Sequence, residues 1–293
     1  MTPVKVFAPA KVNLSLHVTG RRADGYHLLD SLVAFADVGD DLVAASAPEL
    51  TLTVRGPEAE GVPADASNLA LRAAALVAGD RGAALTLIKN LPAASGIGGG
   101  SADAAAALRA MTALRGIDGE ALEAHAAAIL ALGADVPMCL LGRPLRARGI
   151  GERLDPVVLP PVAAVLVNPR VALPTAKVFG ALERRDNPPM PGDLPVFSDA
   201  VTLADWLSHQ RNDLEGAALR VQPLVATVLA ALGGTDGCHL ARMSGSGATC
   251  FGLYAAPDAA VRAAARLRFE RPDWWVVATV LGDQSARAVP VPA

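Results

Sequence analysis

The sequence predicts an α+β protein built from two domains. Strand and helix signals alternate through both halves of the chain, neighbouring strands follow one another with hairpin-like connections, and a proline-rich stretch divides the chain near its middle. The length of 293 residues suits two domains of about 150 residues each. Apolar residues make up 52% and charged residues 19%, which supplies packed cores and argues against disorder. Aromatics are only 4%, so those cores must rest on Ala, Val and Leu.

Val4 to Ala8 and Lys11 to Val18 read as strands, the second with alternating Val12, Leu14, Leu16 and Val18. Leu32 to Val38 and Leu50 to Val54 are two more. Ser67-Asn68 offers capping residues for a helix from Asn68 to Ala78. Ala84 to Lys89 is a short β-prone run, and the Ala-rich segment Ser101 to Leu114 and the segment Gly119 to Leu132 read as helices. Pro156, Pro160 and Pro161 follow Asp155 and mark an expected junction between domains 1–155 and 156–293. Beyond it come a strand (Val162 to Val167), a helix (Thr175 to Arg184) and a Pro/Asp-rich loop (Asp186 to Pro195). Helices over roughly 201–208, 212–219 and 222–231 precede strands Cys238 to Ser244 and Ala248 to Tyr254, a helix Asp258 to Glu270 and a strand Trp274 to Leu281. That order is the split βαβ pattern of a ferredoxin-like layer.

Lys plus Arg number 26 against 29 Asp plus Glu, and no basic run occurs, so a nucleic-acid partner is not expected. The N-terminus has no signal-peptide pattern. The longest apolar stretch, Ala126 to Leu141, is broken by Gly133, Asp135 and Pro137, so no membrane span is expected. Cys139, Cys238 and Cys250 show no Cys-x-x-Cys spacing and sit among apolar residues. His17, His125, His209 and His239 lack metal-ligand spacing. A cytoplasmic location is the default expectation; oligomeric state and metal ligands are not legible.

The most informative stretch is Pro92-Ala93-Ala94-Ser95-Gly96-Ile97-Gly98-Gly99-Gly100-Ser101-Ala102-Asp103, between a strand and an Ala-rich helix. Glycines allow left-handed backbone and leave amides uncovered, so successive N–H groups can face one concavity at a helix N-terminus. That is the design of a phosphate cradle. It is neither a dinucleotide fingerprint, because Ser101 stands at the third glycine position, nor a Walker A loop, because it contains no Lys. A flexible turn that lets the helix pack closely on the strand would look similar.

Two further segments bear on that choice: Ala8-Pro9-Ala10-Lys11-Val12-Asn13-Leu14-Ser15, followed by Asp24-Gly25-Tyr26-His27, and Met243-Ser244-Gly245-Ser246-Gly247-Ala248. With the glycine loop, they resemble the three motifs of the GHMP small-molecule kinase superfamily, in order and at fitting separations, from Pro9 to about Phe251. The resemblance implies a two-domain GHMP-kinase-like fold, with an N-terminal half like ribosomal protein S5 domain 2 and a ferredoxin-like C-terminal half. It implies an ATP:alcohol phosphotransferase with ATP as co-substrate and Mg²⁺, and an ATP site formed by Pro92 to Ala102 with Asn68. It makes Asp135, in Gly133-Ala134-Asp135-Val136-Pro137, the base and Lys11 its electrostatic partner.

The finer features (Asp24-Gly25-Tyr26-His27, Ser67-Asn68-Leu69 and Thr175-Ala176-Lys177-Val178-Phe179) resemble the members that phosphorylate the C2 hydroxyl of a diphosphocytidyl-linked polyol in the non-mevalonate route to isoprenoid precursors. In those kinases the tyrosine stacks on the cytosine and the histidine bonds its edge. Tyr26, His27, Phe179, Thr175, Asn13 and the loop Ser244, Gly245, Ser246 and Gly247 are then expected at the substrate. A kinase of the same superfamily acting on homoserine or mevalonate, or a non-catalytic ligand sensor on the same fold, are the alternatives. One departure stands out: family members often carry more glycine where this chain has Ala93-Ala94-Ser95, and alanine narrows the allowed backbone there.

On the residues alone, Asp135 reads equally as a turn aspartate bonding its own backbone, Lys11 as a solvated strand-end lysine, Asn68 as a helix N-cap and Phe179 as core. Asn13, two residues from Lys11, shares its strand face, and a Lys-x-Asn pair is polar where a core strand places apolar side chains.

Overall fold

The computed structural model describes residues 2–79, 81–117 and 122–293. The N-terminal half contains β1 (Val4–Asn13), β2 (His17–Arg21), β3 (His27–Ser46), β4 (Thr51–Arg55), α1 (Leu69–Leu76), β5 (Ala83–Ile88) and α2 (Gly99–Arg115). It closes with α3 (Ala126–Leu132), α4 (Val136–Leu141), β6 (Leu145–Gly149) and β7 (Arg153–Pro156). The start of the helix expected from Gly119 lies outside the described residues. The C-terminal half contains β8 (Val162–Asn168), α5 (Thr175–Gly180), α6 (Ala200–Ser208), α7 (Glu215–Val221) and α8 (Leu224–Gly233). β9 (Cys238–Met243), β10 (Cys250–Tyr254), α9 (Pro257–Glu270), β11 (Trp275–Gly282) and β12 (Val291–Pro292) follow.

β3 is the spine. Over 20 residues it pairs antiparallel with β2 and β6 near its start, with β1 along most of its length, with β5 at its far end and with β11 at Phe35 and Ala36. The last pairing carries the sheet from one half of the chain into the other. In the C-terminal half the spatial order is β11-β8-β10-β9 with every neighbour antiparallel, the ferredoxin-like arrangement expected from the element order. The two strands read at Val4 to Ala8 and Lys11 to Val18 are instead one strand to Asn13, with a register shift between Pro9 and Lys11, and then β2. The helix read to Arg184 stops at Gly180.

Three apolar cores fill the layers. The first packs Ala-rich α1 and α2 on the N-terminal sheet, with Ala102, Ala104, Ala105, Ala106, Ala107 and Ala110 buried. Such small side chains let a helix lie close to the strands beneath it, which brings the start of α2 down against β1. The other two cores cover opposite faces of β8: Ala163, Val165 and Val167 in one, Val162, Ala164 and Leu166 in the other. Burial on both faces explains why β8 is apolar at nearly every position instead of alternating. Among the described residues no helix is long and apolar enough to cross a membrane.

Beneath α2 lies a buried cluster that no motif announces. Lys89 Nζ pairs with Asp40 and, at 2.8 Å, with Asp103 of α2, and all three residues are almost fully enclosed. Asp40 also accepts the amides of Asn90 (2.6 Å) and Leu91 (2.9 Å) through its other oxygen, while Asp103 Oδ1 is left without a partner. Burial pushes the Asp103 carboxyl up to about 8 against the pull of Lys89, and the nearby Asp40 charge adds to the rise. From about pH 4 to about pH 8 the folded chain therefore retains a proton that the unfolded chain has released, so this group's contribution to stability falls as pH rises through that window. The urea midpoint is expected to drop between pH 5 and pH 8 more in the wild type than in Asp103→Asn, whose amide does not titrate. Parallel slopes for the two proteins would remove Asp103 as the source.

Candidate active site

α2 begins at the glycine loop, and the backbone there leaves little choice of residue. Gly98 is the N-cap in left-handed conformation, with φ of 65°, and a Cβ on it would lie 3.1 to 3.2 Å from the Lys11 side chain. Gly96 has φ of 78°, and its Cβ would fall 2.6 Å from the carbonyl oxygen of Gly247 and 2.7 Å from that of Ser244. Gly99, by contrast, starts the helix with nothing closer than 3.5 Å to a Cβ. Ala94 occupies the left-handed region at φ 48°. A Cβ there costs roughly 1–2 kcal/mol.

The loop is tied to the other two motifs by its own backbone. Lys11 N donates to Ile97 O (2.9 Å), and Thr249 N donates to Ser95 O (3.1 Å). The Ser244 hydroxyl donates to Gly96 O (3.1 Å) and accepts Asn13 N (3.0 Å), joining all three segments at one fully buried oxygen.

These ties frame a cleft of about 1000 Å³. One wall carries Lys11, Asn13 and Asp135. Asp135 occupies the N-cap position of α4 but makes no side-chain cap bond. Its carboxylate faces Lys11 Nζ at 3.1 Å instead. The Lys11 side chain is 6% exposed and that of Asp135 39%, so a buried cation meets an anion that still reaches the opening. Lys11 Nζ also donates to Asn13 Oδ1 at 2.7 Å.

At the side formed by β3 and α5, His27 stacks on Phe179 with ring centroids 4.7 Å apart and an interplanar angle of 28°. His27 Nε2 is buried without a hydrogen-bond partner, and burial, then the charges of Arg21 and Arg185, lower its pKa. Phe179 also packs against one C-terminal core, so it serves both packing and the cleft. Tyr26, 59% exposed, stands at the rim, and Thr175 bonds Ser246 Oγ at 2.9 Å across the opening.

Of the residues expected at the site, the structure brings Lys11, Asn13, Tyr26, His27, Asp135, Thr175, Phe179, Gly245 and Ser246 into this cleft. Ala94, Ser95, Gly96, Gly98, Gly99, Gly100 and Ser101 join them. It does not place Asn68, Pro92, Ala93, Ile97, Ala102, Ser244 or Gly247 on the cleft wall. Asn68 caps α1: its Oδ1 accepts Ala70 N (2.9 Å) and its Nδ2 donates to Pro63 O (2.7 Å). Ile97 and Ala102 are core, and the Ser244 hydroxyl is committed to the junction described above. Sequence reasoning missed Ser31 on β3, Met138 on α4 and the hairpin of β6 and β7, which brings Ile150 and Gly151 to the cleft. Gly149 and Gly151, with φ of 74° and 113°, were a usable turn signal for that hairpin. Among the described residues no group of three or more His, Cys, Asp or Glu is placed to hold a metal ion.

The glycine geometry predicts a graded response in thermal unfolding. Gly96→Ala should lower the Tm far more than Gly99→Ala, and Ala94→Gly should raise it slightly by relieving the left-handed alanine. Equal effects of Gly96→Ala and Gly99→Ala would contradict the close backbone approach at Gly96.

A family model described as GHMP kinases N terminal domain matches residues 68–143, and one described as GHMP kinases C terminal matches residues 192–272. The chain is 55% identical to 4-diphosphocytidyl-2-C-methyl-D-erythritol kinase of Roseobacter denitrificans over 294 aligned residues, covering 98% of this chain and 96% of that one. It is 56% identical to the protein of the same name from Dinoroseobacter shibae, covering 95% of each. A crystal structure of 4-(cytidine 5'-diphospho)-2C-methyl-D-erythritol kinase superposes with a TM-score of 0.77 at 39% identity, covering 95% of this chain and 99% of that chain.

Proposed function

The chain belongs to the GHMP kinase family, and we propose that it transfers the γ-phosphoryl group of ATP to the C2 hydroxyl of 4-diphosphocytidyl-2-C-methyl-D-erythritol. It is a kinase, and ATP is its co-substrate. The named relatives support the choice of acceptor over homoserine or mevalonate. The single observation that carries the reading lies in the cleft. A Lys–carboxylate pair and a glycine-capped helix start share it with a stacked His27–Phe179 pair whose buried ring nitrogen has no hydrogen-bond partner among the described residues.

Backbone amides of the loop from Ala94 to Gly100 and the first turn of α2 hold the ATP phosphates, where the positive end of the helix favours anions. The acceptor hydroxyl lies against Asp135, which takes its proton as the oxygen attacks the γ-phosphorus. With two N–H directions given to Asn13 and Asp135, Lys11 has a third for a phosphoryl oxygen, and its charge stabilises the loose transition state. A magnesium ion accompanying ATP would be held mainly by phosphate oxygens and water, with Ser101 and Asp135 able to offer oxygen from the wall, and would neutralise phosphate charge. His27, whose lowered pKa keeps the ring neutral near pH 7, can offer its free Nε2 to the edge of a base, while Tyr26 supplies a ring at the rim. The sequence division at Asp155 would leave the phosphate loop, Lys11 and Asp135 in the N-terminal part and the Ser246 loop in the C-terminal part.

Asp135→Asn keeps the shape of the side chain but cannot accept the proton. Its kcat should fall by at least about 100-fold with KM for both substrates little changed. Near-normal turnover, followed by ADP release, would remove Asp135 as the base.

Recognition of the base is read separately, by calorimetric binding of CDP and of ATP. Tyr26→Ala and His27→Ala should each weaken CDP by about 1–3 kcal/mol and leave ATP unaffected. Phe179→Ala should weaken CDP and also lower the Tm, because its ring packs into a core. Unchanged CDP binding in all three would return the acceptor to an unspecified alcohol.

A further inference from the structure

Ser31 lies on β3 with 2% of its surface exposed. A serine hydroxyl has one hydrogen to give, and here it goes to the carbonyl oxygen of Ser15 at 2.6 Å. A carbonyl oxygen can only accept, so the direction of that bond is fixed. Toward Asn13, 2.7 Å away, Ser31 Oγ can therefore only accept, and the end of the amide facing it must be the NH₂. This turns Asn13 Oδ1 toward Lys11 Nζ, which donates to it at 2.7 Å while facing Asp135 at 3.1 Å. Reversing the amide would set NH₂ against the ammonium, two donors facing each other, and Oδ1 against the Ser31 oxygen, two acceptors facing each other.

We propose that Ser31 is a positioning residue for phosphoryl transfer: it fixes the orientation of the Asn13 amide and thereby the place of the Lys11 ammonium beside Asp135. The direction of every bond in the chain from Ser15 O through Ser31 and Asn13 to Lys11 follows from the one acceptor at its origin. Asn13 is 5% exposed, so no solvent replaces the lost partner if the hydroxyl is removed. The inference rests on the assignment of Lys11 and Asp135 to the reaction.

The test compares Ser31→Ala, Ser31→Cys and Ser31→Thr in steady-state ADP release, with melting curves for each. Ser31→Ala should lower kcat roughly tenfold with KM for ATP and for the acceptor nearly unchanged, and Ser31→Thr, which restores a hydroxyl, should recover most of it. Ser31→Cys keeps the shape with a much weaker donor and should behave like Ser31→Ala, which covers the case of an unfolded alanine variant. Asn13→Ala combined with Ser31→Ala should be no worse than Asn13→Ala alone, because both act through one linkage. Wild-type kcat in a folded Ser31→Ala or Ser31→Cys protein, an effect confined to KM, or fully additive losses in the double variant would overturn the proposal. If Asp135→Asn retains turnover, the underlying assignment fails; if Asp135→Asn is inactive while the Ser31 variants are normal, only the role of Ser31 fails.

Discussion

The hydroxyl of Ser244 is the point on which the cleft depends. It is fully buried, donates to Gly96 O and accepts Asn13 N, so one oxygen joins segments separated by 148 and 231 residues. Each of those backbone groups would otherwise be a buried polar atom without a partner, which costs about 1–3 kcal/mol. The close approach it enforces explains the glycines around it. A Cβ at Gly96 would overlap the Ser244 and Gly247 carbonyls, and a Cβ at Gly245 would come within 2.9 Å of Gly96 O. The glycine loop is thus held by the C-terminal half of the chain, although it is encoded entirely in the N-terminal half.

Two lysines near this loop illustrate how burial and partners divide labour. Lys89 faces the Asp40 carboxylate and the Asp103 carboxyl inside the protein, and its group serves to seat α2 on the sheet. Lys11 faces one amide oxygen and one carboxylate that is partly open to the cleft. Buried ion pairs recover their desolvation cost only when well partnered. Lys89 has its partners within the fold, whereas Lys11 and Asp135 line the cleft with Asp135 partly open to it.

The side of the cleft at His27 and Phe179 is built differently, from rings and apolar atoms. In a chain with 4% aromatic residues, Phe179 both packs into a core and stacks on His27, so a single ring links the stability of α5 to the position of the histidine. Met138 on α4, whose N-cap position Asp135 occupies, and Ile150 and Gly151 at the tip of the β6–β7 hairpin also line the cleft. Asp135, Met138, Ile150 and Gly151 therefore reach the cleft from one short stretch of chain, from the start of α4 to the β6–β7 turn.

Local patterns made much of this legible in the sequence. Short apolar runs marked β8, β10 and β11, alanine-rich composition marked α2, and the glycine run marked the turn into that helix, because each depends only on residues close in the chain. β3 was read only from Leu32 to Val38, since Gly39-Asp40-Asp41 has the composition of a turn. In the structure the strand continues because Asp40 turns inward to Lys89 and the amides of Asn90 and Leu91. β6 escaped notice for the same reason: Arg146 looks like a surface residue until Asp30 accepts it at 2.7 and 2.8 Å and the carbonyls of Met190, Pro191 and Gly192 surround it. Asp103 and Ser31 likewise carry no local signal of burial. The sequence by itself determined which segments are strands, helices and glycine turns and which motifs they carry. Only the tertiary structure decided which polar side chains are buried, because a buried charge or hydroxyl is tolerated solely through a partner that lies far away along the chain.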